Sequence, residues 1–300
     1  MVNLPSGIDL QELINDVRIF SWEASSLLLK YSKILKDSNS KCNILKNDNI
    51  EDPVTVADLK VNDLIISRIR EKYKNANWDI LSEENVKISS KRYITNADWV
   101  WVLDPLDGTR DFIQGTSNYA VHLALNYRCK PFLGIVLIPE KEELWIGFRD
   151  NVWCEKKDGL KIQPNLSRNQ NLRDMVLVTS KNHRNKTLNK LIQKIKFNKT
   201  IVMGSIGCKI ASILRGESDI YISLSMPGKS SPKDWDFAAP DAILKAAGGA
   251  ITNLDNQELT YGKLNFEHGG IIIASNNFKT HQSICLSIRK IIEKYQIYPI

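Results

Sequence analysis

The sequence predicts a layered fold in two parts, an N-terminal α+β part with a mostly antiparallel sheet and a C-terminal α/β part. Three observations predict it. Two amphipathic helices open the chain, a run of alternating apolar segments with short turns follows as a meander, and beyond a polar stretch strands and helices alternate.

Taken in order, residues 9–33 place Leu10, Leu13, Ile14, Val17, Ala24, Leu27 and Leu28 at helical spacing, with Asp9 and Glu12 as a capping start. Residues 36–52 are polar and turn-rich and read as a loop. A second helix from Pro53 to about Tyr73 carries Val61, Leu64, Ile65 and Ile69 on one face. Residues 79–85 read as a short strand ending in the acidic pair Glu83 and Glu84. Residues 98–116 begin as a strand through Trp99, Val100, Trp101, Val102 and Leu103, then turn abruptly at Asp104 and Asp107. The meander covers residues 119–127, 132–138, 144–148 and 152–154. The polar residues 156–174 set a boundary between an N-terminal unit, 1–160, and a C-terminal unit, 161–300. There, strands at 175–179, 200–203, 219–224, 250–254 and 270–274 alternate with helices at 186–196, 207–215, 238–247 and 279–295. Pro240 falls in the first turn of the third of these helices.

Composition narrows the function. Hydrophobic residues make up 43% and charged residues 25%, ordinary for a soluble globular chain, and no apolar run reaches membrane-span length. No signal peptide is visible at the start. Five scattered cysteines without a CxxC point to reduced thiols in a cytoplasm and away from a zinc site. The net charge of +7 is spread without a basic run, which argues for solvated surface and against nucleic-acid binding.

The chemistry centres on residues 104–109, DPLDGT. Pro105 fixes φ and Gly108 permits positive φ, so the turn is specified. Two carboxylates held on one such turn repel unless a cation sits between them, and hard oxygen ligands suit Mg²⁺. A strand-to-helix turn with an Asp cap is the plainer alternative, but a cap does not require two acids followed by Thr109. Asp58 is likewise open to two readings, because Thr55-x-x-Asp58 is a capping box. Glu83 with Glu84 also reads as a surface pair, and Asp236, at a helix start, as a cap.

DPLDGT, preceded by SEE and PVTVAD and followed by WDFAA, resembles the inositol monophosphatase superfamily of Mg²⁺-dependent phosphatases, in the same order and over most of the chain. The resemblance implies a layered αβαβα sugar-phosphatase fold. It implies Glu83, Asp104, Asp107 and Asp236 as metal ligands, joined by the main-chain carbonyl of Leu106, for two or three Mg²⁺. Asp58 and Thr109 would position and deprotonate the attacking water. This agrees with the residues themselves. Phosphate monoesters hydrolyse very slowly in water, and no Cys, His or Ser nucleophile stands in a suitable motif, so metal-activated water without a phosphoenzyme is expected. The amides following Gly108 can hold phosphate oxygens.

Within the superfamily, DPLDGTRDF is closest in style to bacterial 3'(2'),5'-bisphosphate nucleotidases, as are residues 204–209, GSIGCK, and the WDFAAP stretch. That implies hydrolysis of the 3'-phosphate of 3'-phosphoadenosine 5'-phosphate, a by-product of sulfate assimilation, to AMP and phosphate. Ser205 and Lys209 would contact the substrate beside Gly108, Thr109 and Asp236, with Lys209 taking the second phosphate unless it is an ordinary surface lysine. His183 resembles a nucleotide-side histidine, although Lys181 and Asn182 depart from that pattern. Inositol monophosphate or fructose 1,6-bisphosphate is the alternative substrate, and a non-catalytic nucleotide-binding protein the remoter one. The expected partner is a small phosphorylated metabolite, without nucleic acid or membrane; a homodimer stays open.

Overall fold

The computed structural model describes residues 4–36, 56–88, 95–181 and 184–299. Apart from Lys36, the expected loop at 36–52 lies outside them, as do Thr55 and His183.

Helices α1 (Leu10–Lys36) and α2 (Val56–Lys72) pack on each other. They are followed by β1 (Asp79–Ser82), α3 (Glu83–Ile88), β2 (Trp99–Asp107), α4 (Thr109–Ile113), β3 (Ala120–Tyr127), β4 (Lys130–Ile138), β5 (Glu143–Phe148), β6 (Asn151–Lys156) and β7 (Lys161–Ile162). These strands form a seven-stranded sheet in sequence order. It is antiparallel except for β1, which runs parallel to β2. The expected strand at 79–85 stops at Ser82, and the acidic pair opens α3 instead, where two carboxylates complement the positive end of a helix.

The rest of the chain gives β8 (Val176–Ser180), α5 (Lys186–Ile195), β9 (Lys199–Met203), α6 (Ile206–Leu214), β10 (Ile220–Ser225), α7 (Asp234–Ala246), β11 (Ala250–Asn253), β12 (Gly270–Ser275) and α8 (Phe278–Tyr295). Its five strands are ordered β11-β12-β10-β8-β9. β8 runs parallel to β9 and β10, while β12 is antiparallel to β10 and β11. α7 begins at Asp234, earlier than the expected 238, which puts Pro240 inside the helix rather than in its first turn. Pro240 has no N–H to give to the Asp236 carbonyl, so α7 forgoes one hydrogen bond in its second turn.

The layers follow from side-chain alternation. On β2 and β3, Trp101, Leu103, Val121 and Leu123 join the core against α1 and α2. Val102, Ala120 and Ala124 face the opposite way, into the core shared with α6 and α7. The second sheet covers the far side of those central helices, and its other face carries α5 and α8. The result is a layered αβαβα architecture. α6, buried along its whole length, is apolar nearly all round, as a helix between two sheets must be. Among the described residues no helix is long and apolar enough to cross a membrane.

α7 lies very close to the first sheet at Gly147, where a Cβ would come 2.7 Å from Ile243 Cα. Gly147→Ala should therefore force the helix off the sheet and cost about 1 to 3 kcal/mol in urea unfolding; an unchanged midpoint would contradict this packing.

Candidate metal centre and active site

Asp104 and Asp107 are three residues apart, so on a regular strand they would face opposite sides. The ladder between β2 and β3 shows why they do not. Asp104 pairs with His122 and Asp107 with Ala120, so three steps along β2 match two along β3, and the register shifts between them. This bulge, at which Pro105 needs no ladder hydrogen bond, returns Asp107 to the face occupied by Asp104, towards α6 and α7. Asp236 enters from the first turn of α7, its carboxylate accepting the Lys233 N–H at 2.6 Å. One oxygen each from Asp104, Asp107 and Asp236 then lie within 4.8 Å of one another.

Each acid responds differently to this crowding. Burial, and then the charges of Glu83, Asp107, Asp236 and Asp58, hold the Asp104 carboxyl well above the usual carboxylate range. Burial, then Asp107 and Glu83, push Asp236 up to about 7. Glu83 is also raised, by burial first, with the Lys87 ammonium 2.9 Å away opposing it. Asp107 goes the other way: burial would raise it, but His122, Lys209 and the Ser205 hydroxyl hold it down at about 2. Its Oδ2 accepts from Ser205 Oγ at 2.6 Å, Ile206 N at 2.5 Å and Gly207 N at 3.2 Å, and lies 3.2 Å from His122 Nε2. Asp107 thus anchors the start of α6 to the end of β2.

An oxygen-only set of this kind, with two of its acids forced upward by mutual repulsion, fits a hard divalent cation, which would relieve the repulsion. Glu83 stands at the edge of the three-acid cluster, close enough to be felt by both Asp104 and Asp236. Thr109 opens α4 after Gly108, which takes φ 88°, and its hydroxyl donates to the Leu106 carbonyl at 3.0 Å. Asp58 is buried in the first turn of α2, and its charge reaches Asp104.

The substrate-side residues are placed less simply. Ser205 is fully buried, caps α6 through Cys208 N at 3.1 Å and holds Asp107. Lys209 is not the surface cation expected for a second phosphate. Only 1% exposed, it turns its ammonium to the Gly204 and Ser205 carbonyls and over the Tyr221 ring. Burial lowers its pKa, against the pull of Asp107. An exposed cation beside that turn is Lys181, which donates to Gln114 Oε1 at 2.6 Å and lies 3.7 Å from Asp111 Oδ1. His122, which has no place among the expected site residues, is fully buried on β3, and its Nδ1 meets the Trp235 carbonyl at 3.2 Å. A single histidine in an apolar strand carries no sequence signal distinguishing it from core.

The sequence matches the inositol monophosphatase family over residues 9–293. It is 33% identical over 223 residues to the 3'(2'),5'-bisphosphate nucleotidase CysQ of Buchnera aphidicola, covering 74% of this chain and 76% of that protein. It is 30% identical over 233 residues to the Nus factor SuhB of Pasteurella multocida, covering 73% and 79%. Among solved structures, an inositol monophosphatase from Thermotoga maritima superposes with a TM-score of 0.71 at 22% identity, covering 95% of this chain and 99% of that one.

The crowding has a thermodynamic consequence in the metal-free protein. Asp236 rises from an ordinary 3.8 to about 7, so its favourable contribution is complete below the lower value and is lost as pH climbs through the upper one. Metal-free Asp236→Asn, which keeps an oxygen for the Lys233 N–H, should melt above wild type at about pH 8, with the gap closing towards about pH 4. A gap independent of pH would contradict the repulsion.

Proposed function

Since the chain belongs to the inositol monophosphatase family, whose members are metal-dependent phosphatases, we propose that it is a Mg²⁺-dependent 3'(2'),5'-bisphosphate nucleotidase. In this reading it removes the 3'-phosphate of 3'-phosphoadenosine 5'-phosphate, leaving AMP and inorganic phosphate. The observation that carries the phosphatase chemistry is the convergence of Asp104, Asp107 and Asp236 within 4.8 Å, with Glu83 beside them. The bisphosphate nucleotidase names of relatives at 28–33% identity support the substrate.

Asp104, Asp107, Asp236 and Glu83 would hold the cations, with the Leu106 carbonyl at their margin. Bound Mg²⁺ supplies an acidified water and charge neutralisation at the leaving oxygen. The protein supplies the proton path. Asp58, buried on α2, would be the base for the water's proton, passed through the Thr109 hydroxyl; that hydroxyl donates to Leu106 in the metal-free protein and would turn its hydrogen to Asp58 as it accepts one from the water. Residues 161–300 form the substrate-side unit in this proposal, contributing Asp236 and the turn at 204–207; Lys181 replaces Lys209 as the cation offered to the second phosphate.

A substrate panel with Mg²⁺ tests the reading. 3'-Phosphoadenosine 5'-phosphate should exceed inositol 1-phosphate and fructose 1,6-bisphosphate in kcat/KM by about tenfold or more, with Asp104→Asn at background on all three. A tenfold preference for inositol 1-phosphate would overturn the substrate assignment, and activity retained in Asp104→Asn the metal assignment.

A further inference from the structure

We propose that His122 is a positioning residue of the metal centre: it sets the spacing between Asp107 and Asp236 and thereby the affinity of the site for divalent cations. The proposal rests on the metal-centre reading above and assigns a part in it to a side chain outside the acidic set.

The ladder places His122 directly opposite Asp104, and cross-strand partners project from the same face of a sheet. On that face the ring spans two segments that reach the site from different layers. Nε2 lies 3.2 Å from Asp107 Oδ2, at the end of β2. Nδ1 lies 3.2 Å from the carbonyl of Trp235, the residue before Asp236 in the first turn of α7. A carbonyl oxygen only accepts, so Nδ1 carries the hydrogen of that contact.

The hydrogen-bond donors to Asp107 Oδ2, namely Ser205 Oγ, Ile206 N and Gly207 N, all belong to the start of α6. They tie the carboxylate to α6, and none of them belongs to α7. His122 adds a second constraint as one rigid ring standing between the two segments, 3.2 Å from an atom of each. It is fully buried, and the chain makes room for it: a Cβ on Gly207 would stand 2.3 Å from Nε2. Mutating residues that orient metal ligands from outside commonly costs about 10- to 100-fold in metal affinity.

Two variants separate the contacts. In His122→Asn the amide nitrogen takes the position of Nδ1 and keeps a donor for Trp235, but nothing reaches Asp107. His122→Ala removes both. Calorimetric titration of the full-length, metal-free proteins with Mn²⁺ alone and with Mg²⁺ alone should show Kd raised about tenfold or more in His122→Asn and at least as much in His122→Ala. At saturating Mg²⁺, KM for the preferred substrate should stay within about threefold of wild type, a separation that general loosening of the fold would not produce. If His122→Ala does not fold, His122→Asn decides. Wild-type binding with Kd within threefold in the folded variants, or a loss confined to substrate KM, would overturn the role of His122 alone. Failure of the wild type to bind either ion would overturn the metal reading and this proposal with it.

Discussion

Like charge in a confined space is the constraint on which this structure turns. Three carboxylates within 4.8 Å, with a fourth and a fifth close by, cannot all ionise in a buried site without compensation. The fold distributes that compensation unequally. Asp107 is surrounded by donors and positive charge and is held ionised, whereas Asp104 and Asp236 face other acids and are pushed towards their neutral forms. The set is therefore divided into one carboxylate the protein satisfies itself and others whose charge needs an external cation. A centre built this way sacrifices stability when empty and regains it on binding, the expected linkage between a ligand and the native state.

Delivering the acids to one point requires several layers at once. The bulge in β2 corrects the phase of Asp107, and α7 brings Asp236 from the middle layer. α6 presents its amides to Asp107, and α2 carries Asp58 from the outer layer. α6 and α7 can do this because they are buried between two sheets, so their starts are fixed by packing on both sides. The site lies at the junction of the layers, and the close seating of α7 on the first sheet is part of its geometry.

Much of this was legible in the sequence. The acids stood out by their spacing around Pro105 and Gly108, the meander by alternation and short turns, and the second half by strands and helices in turn. What escaped was set by tertiary context. The bulge is a register event between two strands, and no pattern within β2 alone shows that Asp104 and Asp107 share a face. Lys209 reads as a cation for the second phosphate because it starts a helix after a Gly/Ser turn; here the carbonyls of its own turn and Tyr221 draw it inward. His122 is hidden in an apolar run. Pro240 misplaced the start of α7 because proline normally marks a first turn, yet packing between two sheets carries the helix past it.

The central claim is that these acids form a cation site rather than an unusually acidic turn. Anomalous diffraction from crystals equilibrated with Mn²⁺ tests it most directly. The account predicts a strong anomalous peak in contact with the carboxylates of Asp104 and Asp236, lost in crystals of Asp104→Asn. Crystals that take up Mn²⁺ elsewhere, with no peak between these residues, would contradict it.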